Sequence, residues 1–264
     1  MNSMSLKARL RETDDCLTLQ ICTIPSAVVT QALSAAGSDA VVIDLEHGAI
    51  DYSTAHAMIA ATAGTACAPL VRVEQIDEAR VKRVLDLGAE GIVFPLIRSP
   101  EDARRAVASL RYPPVGTRGF GPFIAQSRWG VTMAGYREAV EDRIVCCLLI
   151  ETREAVEQIE AICAVPGIDL IVPALFDLTT ALGLSGQFDH PEIVAAVDRI
   201  ERAALGAGLP LCGAAASPSQ AEALLARGYR VIGGFDVLWL RAQAAEMRSW
   251  LSGPASARGP EAPG

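Results

Sequence analysis

The sequence contains no apolar run near the roughly 18 residues that a membrane-spanning helix requires, so no such segment is expected. It has no excess of positive charge: 31 acidic residues outnumber 23 basic ones, for a net charge of −8. An acidic surface repels phosphate backbones, which excludes nucleic acid as the expected partner. A small anionic substrate remains compatible wherever a local arginine overcomes that field. No two cysteines stand in a CxxC pair, and none clusters with histidine at zinc-site spacing. The seven that occur (Cys16, Cys22, Cys67, Cys146, Cys147, Cys163 and Cys212) read as small core residues in a reducing cytoplasm. The opening segment "MNSMSLKARLRETDD" has no apolar stretch, so no signal peptide and a cytoplasmic location are expected.

What the sequence does have is a repeated alternation. Short, almost wholly apolar runs recur as "CLTLQIC", "AVVIDLE", "APLVRV", "GIVFPLI", "RIVCCLLIE", "IDLIVPAL", "PLCGAA" and "VIGGFDV". Such runs suit parallel strands covered on both faces. Amphipathic stretches separate them, several opening with a capping residue: Ser26, Ser99, Thr152 and Ser217. Eight βα units in a chain of 264 residues predict a (β/α)8 barrel. A doubly wound open sheet is the rival, but no glycine-rich dinucleotide fingerprint follows the first strand. The expected organisation is one barrel domain over residues 1–251, with an N-terminal helix, and a disordered Pro/Gly/Ala-rich tail over 252–264. The connection from Tyr112 to Asp142, containing "YPPVGTRGFGP", is long enough to suggest a functional or interface role.

In such a barrel the active site lies at the C-terminal strand ends. The second strand ends in Asp44, Glu46 and His47, the third in Arg72 and Glu74, the fifth in Glu151 and the sixth in Asp177. Glu151 and Asp177 would lie at one height on adjacent strands, where two carboxylates repel. A divalent cation would remove that repulsion. They also suit a general acid/base pair, and each alone suits a helix N-cap, Asp177 that of the "LTTALG" helix. His47 reads either as a base or as a hydrogen-bonded loop histidine. His56 reads as structural and His190 as a turn residue. Arg72, in a buried strand, needs an anion: either Glu46 or Glu151 as a brace, or a bound oxyanion. Lys7 and Lys82 are the only lysines and neither ends a strand, so no Schiff-base lysine is available.

The segments "VIDLEHG", "VRVE", "GAEGIVFPLIRSPEDARRAV", "YPPVGTRGFGP", "IETREAVEQIEAICAVPGIDLIV" and "DLTTALG" together resemble the HpcH/HpaI aldolase/citrate lyase family, in matching order from about Thr18 to Leu251. Within it they look most like the class II pyruvate aldolases that cleave 4-hydroxy-2-oxo acids. The resemblance implies a (β/α)8 barrel whose last helix packs on a neighbouring subunit, usually in a hexamer built as a trimer of dimers. It places the metal ligands on Glu151 and Asp177, the histidine base on His47 and the transition-state arginine on Arg72. It also assigns Asp86 the role of raising the histidine's basicity, although Asp86 otherwise reads as a surface helix residue. The implied cofactor is Mg2+ or Mn2+, with Co2+ as a further candidate, and the implied substrate is a small 2-oxo acid of the pyruvate or oxaloacetate type.

The sequence also departs from the family pattern. Leu149 stands where a substrate-bonding glutamine is usual, Ala174, Leu175 and Phe176 replace Gly-Pro-Ala, and "ICTIPSA" replaces the tryptophan near the first strand's end. Leu149 and Phe176 are therefore expected to make the pocket narrower and more apolar, with the backbone N–H groups of Phe176 and Asp177 free to grip a carboxylate. The leading expectation is a divalent-metal carbon–carbon lyase acting on a 2-oxo acid. The alternatives are related enolate chemistry, such as citrate-forming condensation or oxaloacetate decarboxylation, and a non-catalytic paralogue.

Overall fold

The computed structural model describes residues 4–250, so the expected domain end at 251 and the expected tail over 252–264 lie outside the described residues. The apolar runs form eight parallel strands: β1 (Leu17–Cys22), β2 (Ala40–Asp44), β3 (Ala68–Arg72), β4 (Gly91–Phe94), β5 (Val145–Ile150), β6 (Leu170–Pro173), β7 (Cys212–Ala214) and β8 (Val231–Phe235). Their hydrogen-bonded order is β6-β5-β4-β3-β2-β1-β8-β7. A single parallel bridge between Ile171 and Leu211 joins the two ends and closes the barrel. The sheet is therefore closed, and the doubly wound alternative is excluded.

Alternate side chains along each strand divide between two cores, as the two-residue strand period dictates. Val42, Leu70, Val93, Cys147, Leu149 and Leu170 pack inside the barrel. Val41, Val71, Ile92, Cys146, Leu148 and Ile171 pack outward beneath the helices. Ser26, Ser99, Thr152 and Ser217 cap their helices as expected, each side chain accepting a backbone N–H from the first turn. Among the described residues no helix is long and apolar enough to cross a membrane.

One end of the barrel is plugged. The helix Leu6–Glu12 sends Leu6 and Leu10 into the inner core. Its Lys7 ammonium donates to the Ile144 carbonyl at 3.0 Å and pairs with buried Asp169 at 3.0 Å, and Arg11 meets the same carboxylate at 2.7 Å. Ile144 and Asp169 lie just before β5 and β6, so the plug closes the N-terminal strand ends. The connection over 112–142 also lies at this end, between the helix Pro100–Leu110 and β5, and contains short helices at Ala125–Trp129 and Tyr136–Val140. The C-terminal strand ends are left as the mouth.

Candidate active site

Asp44 is the last residue of β2 and is fully buried. In the strand register it stands opposite Arg72, the last residue of β3. The Arg72 Nε donates to Asp44 Oδ1 at 2.9 Å and Nη2 to Oδ2 at 2.6 Å, a bidentate pair. The same carboxylate accepts the backbone N–H groups of Glu46 at 3.0 Å and His47 at 3.2 Å. The turn after β2 is thus wound around the Asp44 side chain. Gly48 is required there: a Cβ at that position would stand 2.3 Å from the Asp44 carbonyl oxygen. Burial acts to raise the Asp44 carboxyl, but the bond and charge of Arg72 and the two N–H groups outweigh it and hold the group below its ordinary value.

The expected brace to Glu46 is present, but it is not the main one. The main partner of Arg72 is Asp44, with Glu46 at 3.4 Å and no hydrogen bond to Glu151. Asp44 consequently does not face a substrate. Two of the five guanidinium N–H groups are used on Asp44, which leaves the rest of the fork available at the mouth. His47 emerges from the turn with its side chain 63% exposed and its Nε2 3.8 Å from Glu46. Burial raises the Glu46 carboxyl, opposed by the charges of Arg72 and His47. Glu74 turns away from this group and pairs with Arg80.

Glu151 follows β5, which ends at Ile150, and is only 5% exposed. Its Oε1 accepts the backbone N–H of Leu96 at 2.5 Å. Leu96 adopts φ 56°, unique among the described non-glycine residues, and this left-handed backbone aims the N–H at the carboxylate. Sequence reasoning missed Leu96, because nothing in a leucine signals that conformation. Burial raises the Glu151 carboxyl, and the charge of Asp177 adds to the effect. The Leu96 N–H, Arg72 and His47 oppose it. The five side chains Glu46, His47, Arg72, Glu151 and Asp177 thus act on one another electrostatically across the mouth.

Asp177 does not end a strand. β6 stops at Pro173, which registers with Ile150, and Asp177 lies in the first turn of the helix Leu175–Ala181. It is not that helix's cap either: Ala174 holds the cap position and no side chain caps it. The carboxylates therefore approach from a strand end and from a helix turn, not at one strand height. Leu149 is buried in the inner core and registers with Val172, so the floor below Glu151 is apolar. Phe176 is 72% exposed and packs edge-on against Phe188, with ring centroids 5.1 Å apart. Its exposed ring therefore does not narrow the site as expected, and of the two residues only Leu149 contributes to the apolar floor.

Asp86 is placed elsewhere. It ends the helix Glu78–Asp86, which returns from the mouth to the plugged end of the barrel. There its carboxylate meets Arg118 Nη2 at 3.1 Å, and the buried Arg118 lies over the ring of Tyr112. Within one chain Asp86 is not brought to His47. Of the other histidines, His56 lies in the helix Tyr52–Ala60, and His190 caps the helix Pro191–Gly206 through Nδ1. Lys7 belongs to the plug and Lys82 to the helix Glu78–Asp86, so neither amine is at the mouth.

Among the described residues no group of three or more His, Cys, Asp or Glu side chains is arranged to hold a metal ion. A metal at this mouth would take two carboxylates, Glu151 and Asp177, and complete its shell from water and substrate. The donors fit such an ion. Glu151 is buried with one oxygen engaged by Leu96, and Asp177 raises its pKa, a repulsion that a divalent cation would remove.

Comparison with known proteins agrees with this architecture. The model of the HpcH/HpaI aldolase/citrate lyase family matches residues 24–242. A 2-dehydro-3,6-dideoxy-6-sulfogluconate aldolase of Pseudomonas putida is 34% identical over 86% of this chain and 89% of its own. A pyruvate aldolase of Rhizobium etli is 36% identical over 67% of this chain and 69% of its own. The crystal structure of a family protein from Burkholderia cenocepacia J2315 superposes with a TM-score of 0.86 at 30% identity, covering 94% of this chain and 98% of that one. With most of its length matched, and with a closed barrel whose polar strand ends gather at one mouth, this chain belongs to the HpcH/HpaI aldolase/citrate lyase family.

Proposed function

We propose that this chain, an aldolase-type carbon–carbon lyase, is divalent-metal-dependent and cleaves or forms a 4-hydroxy-2-oxo acid through a pyruvate-type enolate. The observation that carries this reading is the gathering of Arg72, His47, Glu151 and Asp177 at the open end of a plugged barrel. Glu151 and Asp177 would hold Mg2+ or Mn2+, with Co2+ as a further candidate; the ion would supply Lewis-acid charge for the 2-oxo acid.

The chain's own residues account for the remaining chemistry. His47, exposed at the mouth, removes the proton of the 4-hydroxyl. The C4–O bond becomes a carbonyl as the C3–C4 bond breaks, releasing an aldehyde. The electron pair of that bond becomes the C2=C3 double bond while the C2 carbonyl pair moves onto its oxygen, leaving an enolate that is protonated at C3 to give pyruvate. Arg72, locked against Asp44, presents its unused N–H groups to the developing oxyanion at no cost in reorganisation. Leu149 offers the substrate no hydrogen bond where a glutamine is usual in the family, so pyruvate is held less tightly and a bulkier or less polar substituent is favoured. No lysine at the mouth offers a covalent route.

The same reading makes the protein a homo-oligomer, a hexamer built from dimers. The C-terminal helix Asp236–Ser249 supports it, since Leu238, Trp239, Leu240 and Met247 are exposed on the single chain. Asp86 could act on His47 only from a second copy, because its own helix carries it to the far end of the barrel. The decisive experiment follows pyruvate release from 4-hydroxy-2-oxo acids of graded size, with and without a chelator. Turnover that is lost on chelation and restored by Mg2+ or Mn2+ supports the proposal; turnover indifferent to chelation rejects it.

A further inference from the structure

The plugged end of the barrel contains a polar cavity of about 140 Å3. Its walls come from the segments preceding β3, β4 and β5 and from the helix Ala125–Trp129; they include Thr62, Thr65, Glu90, Arg128, Trp129 and Arg143. Nothing in the aldolase chemistry uses these groups, which lie at the opposite end from His47 and Glu151.

The cavity carries surplus positive charge in a chain whose net charge is −8. The Arg128 guanidinium is fixed by neutral acceptors: Nη1 donates to the Ile59 carbonyl at 3.0 Å and Nη2 to Thr62 Oγ1 at 2.8 Å. Its stem lies on Gly88, where a Cβ would stand 2.8 Å from Arg128 Cδ. Among the described residues Arg128 has no ion-pair partner, and Arg143 reaches its one carboxylate, Glu90, only at 3.5 Å. Both guanidinium groups share the Trp129 ring, at 5.5 Å and 4.9 Å from its centroid. Burial lowers the Arg128 pKa; the charge of Glu90 opposes this and that of Arg143 adds to it. Three buried N–H groups of this wall, Arg128 Nε, Arg143 Nε and Trp129 Nε1, have no hydrogen-bond partner among the described residues. Buried donors are ordinarily paired, so this wall holds more donors and positive charge than its one carboxylate, Glu90, satisfies.

We propose that this cavity binds a small oxyanion, a carboxylate or phosphate group, through Arg128, Arg143 and the Trp129 indole N–H. Planar guanidinium forks match the geometry of both groups, and the volume admits an anion of a few heavy atoms. Glu90 competes with the ligand for Arg143.

The test is calorimetric titration of the purified full chain with inorganic phosphate and, in a separate arm, with acetate. The arm with the tighter binding tells phosphate from carboxylate. Arg143→Gln should weaken the tighter probe by about tenfold or more, the scale of one charge-assisted hydrogen bond. Trp129→Phe keeps the ring, removes the N–H and should weaken it several-fold. Glu90→Gln should tighten it, a gain that a purely structural role for these residues would not produce. Circular dichroism establishes that each variant is folded, and aldolase turnover should match the wild type in all three. The proposal is overturned if neither probe binds saturably, if Arg143→Gln and Trp129→Phe bind as the wild type does, or if Glu90→Gln binds more weakly.

Discussion

Replacing Asp44 by asparagine tests how the mouth is built. The wild-type carboxylate is fully buried and accepts four N–H groups: two from Arg72 and the backbone N–H groups of Glu46 and His47. Asparagine keeps the shape but presents an NH2 where an acceptor is needed, and it leaves the Arg72 guanidinium, 13% exposed, with only the more distant Glu46 carboxylate at 3.4 Å as counter-charge. Removing one partner of a buried pair costs about 3–5 kcal/mol, and equilibrium urea unfolding at fixed protein concentration measures it. Arg72→Met alone should also destabilise. The double variant Asp44→Asn/Arg72→Met should recover part of the loss, with a coupling of about 2 kcal/mol or more. The sign of the pH dependence is fixed as well. The folded-state pKa of Asp44 lies below its ordinary value of 3.8, so the pair's stabilisation is present above that value and is lost as the pH falls through the folded pKa. Asp44→Asn should flatten that acid limb. A loss below about 1 kcal/mol with additive single variants would refute the clamp.

Three further outcomes follow from the site. His47→Ala should lower turnover by about a hundredfold or more, the scale of a general base, while Mn2+ binding followed by paramagnetic relaxation stays unchanged; an unchanged rate removes the assignment. Glu151→Gln should stabilise the metal-free protein at neutral pH and abolish any rise in melting temperature on adding Mn2+. Its sign follows from burial: the folded pKa lies above the ordinary 4.5, so the ionised carboxylate is a penalty that grows as pH rises through that range. Leu149→Gln should improve pyruvate affinity by about 1 kcal/mol, the net scale of one hydrogen bond; no improvement in a pyruvate titration means that residue 149 does not face the substrate.

Much of this was legible in the sequence because it rests on local patterns. Near-continuous apolar strands, capped amphipathic helices and the two-residue strand period located the barrel and the inward-facing Leu149. Arg72 announced an anionic partner because a buried strand arginine needs one. That the partner is Asp44 depends on the register between β2 and β3, which no local pattern encodes. Asp177 was displaced from a strand end to a helix turn because β6 stops at Pro173. Leu96 left no trace, since its contribution is a backbone N–H made available by a left-handed conformation. Asp86 shows the limit of reading roles one residue at a time: the direction of its helix decides which end of the barrel it reaches.

In the proposed reaction, carbon–carbon cleavage depends on a divalent ion held by Glu151 and Asp177. The measurement that tests it most directly is pyruvate release from a 4-hydroxy-2-oxo acid by chelator-stripped protein, before and after adding back Mn2+ or Mg2+, for the wild type beside Glu151→Gln. The expected result is no turnover in the stripped wild type, full recovery on adding the metal, and no recovery in the variant. Undiminished turnover in the stripped protein, or recovery in Glu151→Gln equal to that of the wild type, would contradict it.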